Sequence, residues 1–165
     1  MYSYRLLNLY GLLICITSLL FAILYLEKSL YLDPCPLCIL DRVVLLALGV
    51  IFLLALLHNS KSYFAKIYAG ICVILSLIGI SLAARHIWLQ NLPKDQVPEC
   101  GPDLYYMLDT LPIFDVVKSI LTGSGSCADV SWTFAGLTIP EQTLILFIAL
   151  FGLSIIQMLR SRNHV

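Results

Sequence analysis

Two cysteines and an arginine follow one another at helical spacing at the head of an apolar run. They are Cys35, Cys38 and Arg42. If Asp33 caps a helix and Pro34 takes its first position, these three side chains fall at i, i+3 and i+7 and share one face. The positive end of a helix favours the reactive thiolate form of a cysteine, and cysteines at i and i+3 can close a disulfide after modest adjustment. The spacing therefore predicts a redox-active pair with a cation beside it.

The same two cysteines could instead be half of a tetrathiolate zinc site. Such a site needs a second closely spaced pair, whereas Cys100 and Cys127 enclose 26 residues. We therefore expect no metal. A bridge between Cys100 and Cys127 would close a loop whose length suits a structural disulfide as well as a labile, exchanging one.

The composition predicts a membrane protein. The chain has 165 residues, of which 60% are hydrophobic and 12% charged, and its mean hydropathy is +0.92, which is more apolar than a soluble core of this size allows. Four runs contain no charged residue, and about 20 helical residues cross a bilayer. We predict an all-α, four-transmembrane-helix bundle forming one membrane domain over residues 1–165. Its helices should cover about residues 6–26, 38–57, 66–85 and 142–160, with loops at about 27–37 and 86–141.

The distribution of charge predicts how the bundle is oriented. Five basic residues lie at the chain termini or in the turn between the second and third helices: Arg5, Lys61, Lys66, Arg160 and Arg162. All ten acidic residues lie on the opposite side. Because Lys and Arg are retained on the cytoplasmic side, both termini are expected there, and the first helix is expected to stay rather than be cleaved as a signal peptide. The other side is then oxidising, as disulfides require.

Two further features lie on that second side. The apolar residues of the segment 113–121 recur at helical spacing, which predicts a short amphipathic helix lying flat on the membrane. At the end of the third helix, His86 can exchange protons near neutral pH, and Arg85 adjoins it. Either these residues take part in the chemistry, or Arg85 snorkels to the interface and His86 is exposed. Inside the helices, Cys15 and Cys72 are expected to be packing residues.

These motifs together resemble the bacterial disulfide bond formation protein B family. The resemblance covers nearly the whole chain, and it rests on the following residues: Pro34-Cys35-Pro36-Leu37-Cys38, Asp41-Arg42, Cys100, Gly125-Ser126-Cys127-Ala128 and Trp132-x-Phe134-x-Gly136-Leu137. Asp41 stands where the family would have Glu or Gln. His86 lies near a histidine that the family carries at the top of the third helix.

The resemblance implies a quinone-linked enzyme of the bacterial cytoplasmic (inner) membrane, with its redox loops in the periplasm. Its partner would be a periplasmic thiol oxidase of the DsbA type, which attacks a Cys100–Cys127 bridge at Cys100. Cys127 would then attack Cys35, and Cys38 would be released beside a quinone from the membrane pool, either ubiquinone or menaquinone. Arg42 and His86 would be the quinone-binding residues. The remaining partner would be membrane lipid, and no nucleic acid is expected.

Two other functions compete with this one. A quinone reductase of the vitamin K epoxide reductase type also combines a Cys-x-x-Cys pair with loop cysteines, but its pair would be expected nearer the last helix. A non-catalytic membrane protein with structural or metal-binding cysteines is the alternative from another class. Quinone reduction by the purified protein, when it is given a reduced periplasmic dithiol donor, would discriminate between these functions.

Overall fold

The described residues include four long helices, and a short helix and a small hairpin lie between the last two of these. The computed structural model describes residues 4–32, 34–58, 63–93, 107, 109–110, 112–122, 128, 132–134 and 136–160. The helices are α1 (Tyr4–Leu20), continued by a π-helix (Phe21–Ser29), then α2 (Pro36–His58), α3 (Tyr63–Gln90), α4 (Ile113–Thr122) and α5 (Ile139–Arg160). The strands are β1 (Thr133–Phe134) and β2 (Leu137–Thr138).

Four helices within the described residues are long and apolar enough to cross a membrane, which confirms the predicted four-helix membrane bundle. They are Tyr4–Ser29, Pro36–His58, Tyr63–Gln90 and Ile139–Arg160. Each helix is longer than the charge-free run of sequence from which it was predicted, because the helix continues into polar residues at its ends. In the bundle, α1 packs on α2, α2 on α3, α3 on α5, and α5 also touches α1. The helices thus form a closed ring.

Small residues bring the helices close together. A Cβ added to Gly79 of α3 would overlap the ring of Phe147 on α5, and one added to Gly11 of α1 would lie 2.8 Å from Cζ of Phe52 on α2. Large apolar side chains point outward along the same helices, as expected for lipid-facing surfaces. Such close approach stabilises helix pairs where lipid, not water, is the competing solvent.

The end of the first membrane helix departs from α-helical geometry. Residues Phe21–Ser29 form a π-helix, and the amide of Leu30 donates to the carbonyl of Tyr25 at 3.1 Å, five residues back. Tyr31 follows with a φ of 52°, in the left-handed region that non-glycine residues rarely adopt. The apolar run did not predict this wider helix, because hydropathy carries no information on the hydrogen-bond register.

The second helix begins two residues before the predicted span of about 38–57, but two residues after the start that a cap at Asp33 would give it. It starts at Pro36, not at Pro34, and the amide of Ile39 donates to the carbonyl of Cys35 at 3.1 Å. Cys35 is therefore the N-cap residue and Pro36 occupies the first helical position, where its missing N–H costs nothing. The prediction that Asp33 caps the helix was wrong in register, and Asp33 itself lies outside the described residues.

The predicted amphipathic helix is present as α4, and its apolar side packs on protein. Val116 and Ile120 are buried in a cluster with Leu37 of α2 and with Leu82 and Leu89 of α3. The neighbouring Asp115 and Lys118 are exposed. The helix therefore covers the end of the bundle where α2 begins, which we call the cysteine end. Whether α4 also touches the membrane surface stays a prediction.

A small hairpin connects this cover to the last helix. β1 and β2 pair antiparallel, with Phe134 opposite Leu137, and Gly136 adopts a φ of 81° in the tight turn between them. Thr138 is the residue just before α5, and the Glu141 carboxylate accepts hydrogen bonds from its backbone amide at 2.7 Å and from its hydroxyl at 3.0 Å. Glu141, three residues into the helix, thus reaches back to the backbone amide of the N-cap residue, which is one half of a capping box, and this contact fixes the entry of the chain into α5.

Candidate active site

A cavity of about 420 Å³ lies among the four long helices at the cysteine end. Every long helix contributes to its wall, and so does the segment before the hairpin. Its polar and sulfur-bearing lining residues are Thr17, Ser18, Cys35, Cys38, Asp41, Arg42, His86, Gln90, Gln142 and Thr143. Its apolar lining includes Leu19, Ala22, Leu45, Leu146 and Phe147. A mostly apolar cavity with a few converging polar groups is typical of a site for a small organic molecule.

Cys35 and Cys38 meet at the start of α2. Their sulfur atoms lie 2.7 Å apart, so a small side-chain rotation brings them to the roughly 2.05 Å of a disulfide bond. The amide of Cys38 donates to Sγ of Cys35 at 3.3 Å, in the place that a serine or aspartate oxygen takes in an ordinary N-cap. A negative charge on the Cys35 sulfur would be stabilised by this amide and by the helix dipole.

His86 stands against the same sulfur. Its Nε2 lies 3.7 Å from Sγ of Cys35, and only 3% of the residue is exposed. Of the two sequence interpretations, exposure at the interface is therefore wrong. His86 also lines the cavity, so it can exchange a proton with Cys35 or contact a molecule bound there.

Arg42 reaches the cavity one turn below Cys38 and forms an ion pair with Glu27 of the π-helix. Both side chains are about three-quarters buried. Since the pair is only partly shielded from solvent, its main effect is to orient the guanidinium rather than to stabilise the fold. The ion pair joins the end of the first membrane helix to the head of the second.

Aromatic rings line the side of the cavity formed by the π-helix. Trp132 is the residue just before β1. The centre of its ring lies 6.2 Å from that of Phe21 and 6.1 Å from that of Tyr25. It also stacks on Phe134 of the hairpin at 6.0 Å. The hairpin therefore helps to position Trp132 in the wall of the cavity.

Other predicted residues lie elsewhere. Cys15 and Cys72 are buried in the middle of the bundle, in its apolar core, as packing residues would be. The guanidinium of Arg85 lies 4.2 Å from the ring centre of Trp88 on the same helix, which suits an interfacial residue. Cys100 and Cys127 lie outside the described residues.

Comparison with known proteins identifies the family. A family model described as "Disulfide bond formation protein DsbB" matches residues 4–157. The chain belongs to this family. It is 52% identical over 130 residues to a disulfide bond formation protein B of Nitrosococcus oceani, covering 79% of this chain and 77% of the relative. A relative of the same name from Acinetobacter baylyi is 44% identical over 160 residues, covering 96% of this chain and 93% of the relative.

Membership in the DsbB family makes the protein a disulfide-forming oxidoreductase, and the four apolar helices make it a multi-pass membrane protein. The resemblance stated from the sequence motifs is thus confirmed.

The sequence analysis did not predict the ion pair of Arg42 with Glu27, although the positions of the two charges indicate it. Glu27 is the first charged residue after the long apolar run that begins the chain. Arg42 occupies the corresponding place at the head of the next run. Opposite charges at adjoining ends of two successive membrane helices are candidates for an ion pair, because charges there are retained only when they are solvated or paired.

Proposed function

We propose that the protein re-oxidises a periplasmic dithiol protein of the DsbA type and transfers the two electrons to a membrane quinone. One observation carries the proposal: Cys35, Cys38 and Arg42 line a single cavity among four apolar helices. A quinone has a flat apolar ring with oxygens at its edges. The cavity offers apolar side chains for the ring and a guanidinium for an oxygen.

The exchange with the partner protein would use Cys100 and Cys127. A thiolate of the partner attacks their disulfide at Cys100, and Cys127 leaves as a thiolate. The second thiol of the partner then displaces Cys100 and closes the partner's disulfide. Each exchange breaks one S–S bond and forms another, so that two electrons enter the membrane protein with each partner molecule oxidised.

The inner pair would receive those electrons. Cys127 attacks Cys35, the Cys35–Cys38 bond breaks, and Cys38 leaves as a thiolate at the wall of the cavity. Closure of the Cys100–Cys127 disulfide then releases Cys35, whose sulfur meets the amide of Cys38 and the imidazole of His86. These two groups would hold Cys35 ready, by stabilising its thiolate and taking up its proton.

Arg42 would stabilise the negative charge that develops within the cavity during the reaction. A quinone, when bound there, supplies the acceptor of two electrons and two protons that a dithiol needs in order to become a disulfide. The guanidinium of Arg42 would stabilise negative charge on Cys38 and on the acceptor oxygen, since charge interactions are stronger in an apolar site than in water. His86 would be the second residue beside the acceptor.

The proposed orientation has both termini in the cytoplasm and the cysteine end in the periplasm of a bacterial inner membrane. The basic residues near the termini support it. An oxidising compartment at the cysteine end is also what stable disulfides require.

The test is quinone reduction by the purified full-length protein supplied with a reduced DsbA-type partner. Loss of quinone absorbance should depend on the partner, and Cys38→Ser and Cys100→Ser should each abolish it. Cys15→Ser is the matched control, because Cys15 is a buried thiol of the bundle core, and it should retain the rate. Wild-type rates in both Cys38→Ser and Cys100→Ser would refute the proposal. Extraction of the purified protein would identify the quinone as ubiquinone or menaquinone.

A further inference from the structure

Three ligand atoms of the kinds that zinc prefers converge at the cysteine end. Sγ of Cys35, Sγ of Cys38 and Nε2 of His86 all lie within 4.8 Å of one another. Thiolate sulfur and imidazole nitrogen are the usual protein ligands of Zn²⁺. A tetrathiolate site would need a second cysteine pair, but here an imidazole supplies the third ligand instead.

We propose that the dithiol form of the Cys35–Cys38 pair, together with His86, binds a thiophilic divalent cation such as Zn²⁺. This goes beyond the proposed function, because it concerns the reduced protein without quinone. Binding is not a redox step: the two thiols lose their protons to solvent, two Zn–S bonds and one Zn–N bond form, and no electron is transferred.

The distances fit a tetrahedral ion. Bond lengths of about 2.3 Å to sulfur and 2.0–2.1 Å to nitrogen place a sulfur and a nitrogen ligand roughly 3.6 Å apart. Sγ of Cys35 and Nε2 of His86 lie 3.7 Å apart. The two sulfurs would have to separate from 2.7 Å to roughly 3.8 Å. Rotation of the Cys38 side chain suffices for that, since both cysteines line an open cavity.

The charge of the surroundings also permits a cation. Two thiolates neutralise Zn²⁺, which lowers the cost of placing it at the edge of an apolar bundle. Arg42 would otherwise repel a cation, but its charge is balanced by Glu27. The fourth coordination position would face the cavity, where water can occupy it, as in zinc sites with three protein ligands.

The consequence for the enzyme would be inhibition. The ion and the disulfide use the same two sulfur atoms, so each excludes the other. Zinc would therefore hold the pair in its dithiol form and keep electrons from leaving it. This consequence rests on the proposed function, whereas binding of the ion itself does not.

The experiment measures Zn²⁺ affinity by competition with a colorimetric chelator. It uses full-length protein in detergent with Cys100→Ser and Cys127→Ser, so that the loop thiols cannot contribute. The reduced protein should bind one Zn²⁺, and the same protein with Cys35 and Cys38 oxidised should bind none. Co²⁺ in place of Zn²⁺ should give the intense ligand-field and sulfur charge-transfer bands of a tetrahedral thiolate site.

Two histidine variants make the test specific. His86→Ala should weaken Zn²⁺ binding about a hundredfold or more, since loss of even a second-shell partner costs about 10- to 100-fold. His58→Ala is the matched control, because His58 bonds Tyr68 at 3.1 Å near the opposite end of α2 and α3, and its affinity should be unchanged. Equal affinities in the two variants, or equal binding by oxidised and reduced protein, would overturn the proposal. The redox comparison needs no variant of the site and so decides the matter even if His86→Ala fails to fold.

Discussion

Arg42 is the residue whose substitution should separate the two halves of the proposed reaction. Arg42→Gln removes the cation from the cavity but leaves Cys35 and its contacts in place. We expect quinone reduction to fall about 100- to 1,000-fold, as when a single charge-stabilising donor is lost, while disulfide exchange with the partner protein changes little. Single-turnover measurement of each half reaction provides the comparison. Equal loss of both would indicate a folding defect.

Glu27 should act on the same step through Arg42. Glu27→Gln keeps the size of the side chain but removes the charge that orients the guanidinium, and the loss of a partly exposed ion pair is worth about 1 kcal/mol, or roughly a fivefold change. We expect this change mainly in KM for quinone, because positioning of a binding group is affected.

The neighbouring residue provides the control for that measurement. Lys28→Gln also changes the charge by one unit, but Lys28 is exposed, and it should leave KM unaltered. The two substitutions change the charge in opposite senses, so a KM shift of similar size and opposite direction in Lys28→Gln would show that general electrostatics, rather than the Glu27–Arg42 contact, is responsible.

At the residue scale, the sequence predicts which residues belong to the site better than it predicts which residues they contact. Spacing and polarity were enough to select Cys35, Cys38, Arg42 and His86, and all four line the cavity. The contact of His86 with Cys35 could not be predicted, since 51 residues separate them along the chain. Such contacts depend on how far two helices are rotated about their axes, which sequence spacing within one helix does not fix.

At the scale of elements, Gly79 should be critical to the contact between α3 and α5. Gly79→Ala would drive a methyl group into the ring of Phe147, and overpacking of this kind costs typically 1–3 kcal/mol. We expect lower resistance to unfolding in a denaturing detergent. Because Phe147 also lines the cavity, quinone KM should rise as well.

Gly70 is the matched control on the same helix. A Cβ added there meets nothing within 4 Å, so Gly70→Ala should be neutral or slightly stabilising, given the higher helix propensity of alanine. Equal destabilisation by both substitutions would show that loss of glycine flexibility, rather than the contact with Phe147, is at work.

The sequence was sufficient to predict that the four membrane helices exist, but it was not sufficient to predict the residues at which they begin and end. Apolar runs mark the parts of a chain that lipid can surround, but the ends are decided by local hydrogen bonds. The sulfur cap of α2 is one such case. The cap that Glu141 provides at the start of α5 does have a sequence signal, a threonine followed three residues later by glutamate. The π-helical end of the first helix has none in its hydropathy.

At the scale of the whole molecule, charge makes orientation testable. Lys94 lies in the sequence between the third and fourth membrane helices, and Lys61 between the second and third. If both termini are cytoplasmic, a membrane-impermeant amine reagent should label Lys94 in cells whose outer membrane has been opened, and Lys61 only after full lysis. Preferential labelling of Lys61 in unlysed cells would show that the orientation is the opposite of the one proposed.

The architecture as a whole followed from a simple physical constraint. A chain this apolar must satisfy its backbone hydrogen bonds within helices once it enters lipid, so four apolar runs specify a four-helix bundle. The cavity did not follow from that constraint. It depends on side chains from several elements, among them Phe21 and Ala22 of the π-helix and Trp132, which precedes the hairpin.

The sulfur cap of α2 has a consequence for the helix itself. Sγ of Cys35 accepts the hydrogen bond of the Cys38 amide, and in the proposed reaction the same atom bonds to another sulfur. A sulfur committed to a disulfide carries less negative charge and accepts a hydrogen bond less well. The hydrogen bond that caps the first turn of α2 should therefore be weaker when Cys35 and Cys38 form a disulfide and stronger when they are reduced, so that the backbone conformation at this turn depends on the oxidation state of the pair.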